Sequence, residues 1–232
     1  MQTFPDNTTR PGPPKQLFPL VRHFSSRLTP VLLRWPVTPN QITLVSLFLG
    51  LVGVALFIFS DWITDISGAL LIVLSYILDN CDGEVARIKG LSSELGARLD
   101  DIVDSTVDTA FFMALGYGMA RETGAQVWLW LGLAAAAGAI IDFCVQQVKD
   151  ARLQHQAGVK SRAEVAHAPD MPETVPDWII YIFHELSRAD FCLIILLLAL
   201  FDTTWVLLPL AAVGAQVYWI IELSNRTRNY HA

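Results

Sequence analysis

Charge is what this 232-residue sequence has least of: 16% of its residues are Asp, Glu, Lys or Arg, and 53% are hydrophobic. Soluble domains carry about 25% charged residues. The shortage, with a mean hydropathy of +0.44, excludes a disordered chain and argues against a water-soluble domain. Basic residues are outnumbered, 16 Lys and Arg against 22 Asp and Glu. The net charge of −6 excludes the basic footprint of a nucleic-acid binder, so no nucleic-acid partner is expected. Cysteine is scarce as well. Cys81, Cys144 and Cys192 sit in apolar surroundings with no pairing pattern, which excludes a disulfide scaffold and leaves three small buried residues. The first residues lack the apolar core and cleavage site of a signal peptide, and residues 1–14, with Pro11, Pro13 and Pro14, are expected to be a flexible tail.

Long uncharged runs take up the rest. Gln41–Ser60 holds twenty residues without a charge, and Thr123–Ile141 and Thr203–Ile221 hold nineteen each. About twenty apolar residues cross a bilayer core, so these are three membrane spans. Ile66–Leu78, Thr109–Ala120 and Phe191–Phe201 are shorter. Each reaches spanning length when joined to its neighbouring helix-compatible segment: Asp79–Arg87, Gly96–Asp108 and Trp178–Asp190. The expected fold is all-α, an integral membrane bundle of six spans at about 41–60, 66–88, 96–120, 123–146, 178–201 and 203–222, which together form one domain over 37–232. Before it, residues 15–36 place Leu17, Leu20, Val21, Phe24, Leu28, Val31 and Leu32 at helical spacing among Arg22, Arg27 and Arg34. That pattern fits an amphipathic helix on an anionic bilayer surface, or one packed on another protein face.

Basic residues test the count. With six spans, fourteen of the sixteen fall on one side: five before the first span, three around Arg87, Lys89 and Arg98, four from Lys149 to Arg162, and Arg226 and Arg228. The opposite connections hold only Arg121, beside Asp61, Asp65, Glu122 and Asp202, while Arg188 lies inside the fifth span. The positive-inside rule places both termini in the cytoplasm. Six tryptophans, Trp62, Trp128, Trp130, Trp178, Trp205 and Trp219, fall near span ends, where interfacial anchors sit. Gly50 and Gly53, Gly116 and Gly118, Ala134–Gly138 and Ala211–Ala215 mark faces for close helix packing, inside the bundle or at a dimer seam.

The chemistry concentrates in Asp79-Asn80-Cys81-Asp82-Gly83-Glu84-Val85-Ala86-Arg87 and in Gly96-Ala97-Arg98-Leu99-Asp100-Asp101-Ile102-Val103-Asp104. Charges at membrane depth are costly and by default functional. Asp79 and Asp82, three apart, share a face near the inner end of the second span, and Asp100 and Asp104, four apart, share one near the inner start of the third. The two spans run in opposite directions, so the pairs meet at one depth. Four facing carboxylates stay ionised only with a cation between them. They make an oxygen-ligand site for a hard divalent ion such as Mg²⁺, with carboxylates enough for two. Such a site at the cytoplasmic boundary points to phosphoryl chemistry. Gly83 and Ala86 remove bulk beside the acids, Arg87 is a bidentate phosphate partner, and Gly96 gives the same access on the facing helix.

The pattern Asp79-x2-Asp82-Gly83-x2-Ala86-Arg87-x8-Gly96-x3-Asp100-x3-Asp104 resembles the signature of the CDP-alcohol phosphotransferases at all eight fixed positions. The amphipathic N-terminal segment and Pro39-Asn40-Gln41-Ile42-Thr43 at the first span also resemble that family. The resemblance implies an enzyme that takes a CDP-alcohol, usually CDP-diacylglycerol, joins its lipid phosphoryl group to a polar alcohol and releases CMP. It implies Asp79, Asp82 and Asp100 as ligands of Mg²⁺ or Mn²⁺, and Asp104 as general base in contact with metal. It places Gly83, Ala86, Arg87 and Gly96 around the CDP moiety, with Asn40 and Thr43 as further nucleotide contacts, and it implies a homodimer.

Other polar residues admit plainer readings. Asp108 either extends the acidic row or is a hydrogen-bonded structural acid, and the second is favoured. Asp101 points away from the row, toward solvent or a neighbour. Asp142 is paired or faces the cavity. Lys149, Arg152 and Arg188 form a basic trio suited to an anionic acceptor such as glycerol phosphate or inositol phosphate. Alternatively, Arg188 snorkels and pairs with Asp190. His184-Glu185 reads as an interfacial pair. Two other functions compete. Intramembrane prenyltransferases use Mg²⁺–diphosphate sites but carry two separate Asp-rich motifs, and this chain has one split motif. Cation transporters often show internal repeats, and no second copy of the acidic motif is present.

Overall fold

The structure is a computed structural model that describes residues 20–157, 190–214 and 216, the side chains of 149, 150 and 152–157 excepted. All regular structure among the described residues is helical. The elements are α1 (Val21–Leu32), α2 (Pro39–Leu56), α3 (Trp62–Lys89), α4 (Glu94–Thr123), α5 (Val127–Ala157), α6 (Phe191–Leu200) and α7 (Thr204–Gly214), the last opening with a 3-10 turn.

Local chemistry sets the helix ends. Thr38 and Gln41 form a reciprocal capping box ahead of Pro39, which needs no N–H partner at the start of α2. Asp61 caps α3 and Ser93 caps α4. Gly90, at φ 66°, ends α3 with its N–H on the carbonyl oxygens of Ala86 and Arg87. The connections are therefore short, and successive helices fold back on one another. The first span ends at Leu56 instead of Ser60, because residues 57–59 tighten into turns before the Asp61 cap.

Among the described residues, three helices are long and apolar enough to cross a membrane: Pro39–Leu56, Trp62–Lys89 and Val127–Val148. At 28 residues α3 is roughly 42 Å long, more than the ~30 Å hydrocarbon core, so it is long enough to cross and extend beyond the apolar layer. The outer surface is apolar, with Leu44, Phe48, Ile63, Leu70 and Trp130 more than half exposed. A belt of this kind fits a lipid environment and makes the chain an integral membrane protein. Helix α4 carries too many acids to stand alone in lipid, and α6 and α7 are short within the described residues. Residues 178–189 and most of 215–222, which complete the fifth and sixth expected spans, lie outside the described residues.

Glycines bring the helices together. A Cβ on Gly68 would lie 2.6 Å from the Gly53 carbonyl oxygen, so α2 and α3 cross backbone to backbone. Gly116 and Gly132 do the same for α4 and α5, a Cβ on Gly116 lying 2.8 Å from the Gly132 Cα. Phe57 and Phe111 pack edge to face at 5.0 Å, and Phe191 of α6 joins them at 6.1 Å from Phe111. Helix α2 packs on both α3 and α4, whereas α3 and α4 barely touch through their backbones. That leaves a gap between the two helices that carry the acids.

Helix α1 runs over Val21–Leu32, inside the expected 15–36 segment, of which 15–19 lie outside the described residues. Its bundle-facing side is not the leucine face. Val21, Ser25 and Thr29 are buried, while Phe24 and Val31 point outward.

Candidate metal and nucleotide site

Asp79 and Asp82 project from α3, and Asp100 from α4, into the gap. One carboxylate oxygen from each lies within 4.8 Å of the others. Asp104, one turn further along α4, stands outside that triad. Asp82 is 5% exposed. Thr43 of α2, itself buried, donates its hydroxyl to Asp82. Asp79 Oδ1 is buried with no hydrogen-bond partner among the described residues. Such an atom costs free energy unless something absent from the protein alone meets it.

The donor set fits a hard divalent cation. All three ligands are carboxylate oxygens within 4.8 Å of one another, near enough to share one ion whose oxygen ligands lie about 2.1 Å from it. Hydroxyl donation from Thr43 would hold Asp82 in one orientation, the usual work of a residue behind a metal ligand.

A cavity of 760 Å³ opens beside the triad. Its volume is that of a small-molecule site. Each residue expected at the nucleotide lines it: Asn40, Thr43, Gly83, Ala86, Arg87 and Gly96. The glycines have visible reasons. A Cβ on Gly83 would sit in van der Waals contact with the guanidinium, 3.4 Å from Arg87 Nη1, and fill cavity space beside it. A Cβ on Gly96 would sit 3.1 Å from Ser93 Oγ and 3.7 Å from Asn40 Oδ1. Asn40 and Gly96 therefore face each other across the rim.

The cavity also includes residues that the sequence did not single out for it. Helix α5 contributes Gln147, whose amide donates to Asp101 at 3.0 Å, and both line the wall. Asp101 thus meets a neighbour, one of its two expected settings, and it borders the site. Arg98 lines the cavity too and pairs with Glu94 at 2.6 Å on an exposed turn. The Gln146-Gln147 pair, where the apolar run of α5 gives way to charged residues, is the signal that could have marked Gln147.

The remaining acids sort themselves. Asp108 accepts a hydrogen bond from the Tyr76 hydroxyl at 2.6 Å, as a structural acid would. Asp142 accepts from Gln146 at 2.5 Å and does not line the cavity, so it is paired. Asp190 accepts the backbone N–H groups of Leu20 and Val21 at 2.7 and 3.0 Å and caps α1. Lys149 and Arg152 belong to α5, but their side chains lie outside the described residues, as do Arg188 and His184-Glu185. Ala151, between the first two, lines the cavity.

Known proteins resemble this chain in sequence and in fold. A bifunctional IPC transferase and DIPP synthase of Thermococcus kodakarensis is 35% identical over 122 residues, 53% of this chain and 26% of that protein. The chain thus spans about a quarter of that relative's length. A phosphatidylinositol phosphate synthase of Cutibacterium acnes is 29% identical over 135 residues, covering 57% of this chain and 64% of that one. The crystal structure of Mycobacterium tuberculosis phosphatidylinositol phosphate synthase with CDP-DAG bound superposes with a TM-score of 0.52 at 22% identity, over 84% of this chain and 90% of that one, a likeness of fold. Residues 36–217, which contain the triad, Thr43 and every cavity residue named above, match the CDP-alcohol phosphatidyltransferase family, and the chain belongs to it.

Proposed function

We propose that this protein moves the phosphatidyl group of a CDP-alcohol, CDP-diacylglycerol, to a polar alcohol and releases CMP. The observation that carries this reading is the coincidence of a carboxylate triad with a cavity lined by all six expected nucleotide contacts. Asn40, Gly83, Ala86, Arg87 and Gly96 admit the CDP moiety, with Arg87 on a phosphate oxygen. Asp79, Asp82 and Asp100 hold Mg²⁺ or Mn²⁺, two ions with Asp104 included. When bound there, the divalent metal supplies charge neutralisation at the diphosphate.

The displacement balances simply. The acceptor oxygen forms a bond to the phosphorus that bears the lipid. The bond from that phosphorus to the bridging oxygen breaks, and its electron pair leaves with CMP. The acceptor proton passes to the Asp104 carboxylate. A positioned base of this kind typically contributes ~10²–10⁴-fold.

The acceptor is a phosphorylated polyol, which the basic trio of the sequence, Lys149, Arg152 and Arg188, favours. The names of the inositol phosphate relatives support that choice. Six spans, cytoplasmic termini, a cytoplasmic site and a homodimer complete the reading, and the outward apolar side of α1 then rests on the bilayer surface.

The test is purified protein in nanodiscs with CDP-diacylglycerol and a panel of alcohols, with CMP and lipid product measured. Metal-dependent CMP release with inositol phosphate or glycerol phosphate is expected. Release of pyrophosphate from a prenyl diphosphate, or cation flux without CMP, would overturn the proposal.

A further inference from the structure

Glu84 is a buried carboxylate inside the motif that the chemistry above does not use. It is 8% exposed and does not line the cavity. On a helical wheel it lies about 130° from the face shared by Asp79, Asp82, Gly83 and Arg87. Its oxygens accept hydroxyl hydrogen bonds from Ser25 at 2.8 Å and Thr29 at 2.6 Å, both fully buried on α1. The Cys81 thiol adds a contact to the Ser25 carbonyl at 3.7 Å.

Burying a carboxylate against two hydroxyls is an expensive way to pack a helix, and an apolar residue would serve for adhesion alone. What the polar pairing adds is register. An apolar contact lets α1 slide along α3, but two directed hydrogen bonds do not. The start of α1 is pinned as well, by Asp190 on the Leu20 and Val21 N–H groups.

The chain beyond α1 explains what the register is for. Eight residues separate Thr29 from Thr38, the cap of α2. Within them, Lys89 of α3 donates to the carbonyl oxygens of Val37 at 2.7 Å and Trp35 at 3.5 Å. Thr43 then meets Asp82. Residues 25–43 therefore wrap around the acidic end of α3 as a strap with three anchors, Glu84, Lys89 and Asp82. The free end of that strap carries Asn40 and Thr43 to the cavity.

We infer that Glu84 is a positioning residue: by fixing α1 on the far face of α3 it sets where Asn40 and Thr43 stand, and so controls affinity for the CDP-linked donor. This rests on the reading of the cavity as the donor site.

The test uses the full chain in nanodiscs with CDP-diacylglycerol, comparing Glu84→Ala, Glu84→Gln and Lys89→Met. Glu84→Ala is expected to raise donor KM about tenfold, with kcat and acceptor KM changed less than threefold. Glu84→Gln, which keeps one carbonyl acceptor, falls between. Lys89→Met loosens the next anchor and raises donor KM in the same way, and it carries the test if Glu84→Ala fails to accumulate. Hydrogen exchange reads the same link without turnover: amides of residues 33–43 exchange at least tenfold faster in the variants, while those of 100–110 do not change. Unchanged donor KM and unchanged exchange, with wild-type CMP release intact, would overturn the inference and leave the donor reading standing. Faster exchange over 33–43 in a protein that releases no CMP would overturn the donor reading and leave the link standing.

Discussion

Replacing Thr43 with Val keeps the shape of the side chain and removes one hydroxyl. That hydroxyl has a single proton, and the nearer of its two acceptors is Asp82. The other, the Pro39 carbonyl, belongs to the first turn of α2 and keeps its helical partner, so the change leaves no second group stranded. A hydrogen bond to a charged group contributes about 1.5–3 kcal/mol, and ~1.4 kcal/mol is a factor of ten. Asp82 is buried, so water does not replace the lost donor and most of that energy bears on how the carboxylate is held. The Mg²⁺ concentration for half-maximal CMP release should rise about 10–100-fold, the range typical for losing a residue behind a metal ligand. Thr43→Ser, which keeps the hydroxyl, should stay within threefold of wild type. The assay is CMP release at saturating donor and acceptor over a Mg²⁺ series. An unchanged half-saturating Mg²⁺ concentration would refute the role of the hydroxyl behind Asp82, whatever the variant does to donor KM.

Three other outcomes follow from the same geometry. Asp104→Asn should lower CMP release at least ~10²-fold while CDP-diacylglycerol binding, read by protection from thermal inactivation, is retained. Gly83→Leu should raise donor KM with little loss of folded protein, because the added side chain occupies cavity space beside the Arg87 guanidinium and its Cβ meets no backbone; equal KM in that variant would show that the donor does not approach the helix at Gly83. Gly68→Val forces a Cβ to 2.6 Å from the Gly53 carbonyl oxygen, so the α2–α3 crossing must open. Overpacking of this kind costs typically 1–3 kcal/mol and should show as a lower midpoint of thermal aggregation in detergent.

Much of this was legible in the sequence because membrane and metal impose strict spacing. An uncharged stretch such as 41–60 has few alternatives to a span, and it became α2 with its end moved by the Asp61 cap. Acids three and four apart on adjoining helices could meet, and Asp79, Asp82 and Asp100 do. Tertiary partners were less visible. The leucine pattern of α1 concealed that its buried side is Ser25 and Thr29, because a hydroxyl matched to a distant carboxylate leaves no periodic trace. Asp190 was read beside Arg188 in sequence, yet its oxygens go to backbone groups 170 residues away. Gln147 and Asp101 likewise became cavity residues only when α5 folded back on α4.

The most direct measurement is CMP release from CDP-diacylglycerol by protein stripped of divalent metal, before and after Mg²⁺ or Mn²⁺ is restored, beside Asp100→Asn. The account predicts no release from the stripped protein, recovery on adding metal, and no recovery in the variant at any metal concentration. Wild-type rates of CMP release under chelation, or from Asp100→Asn, would contradict it.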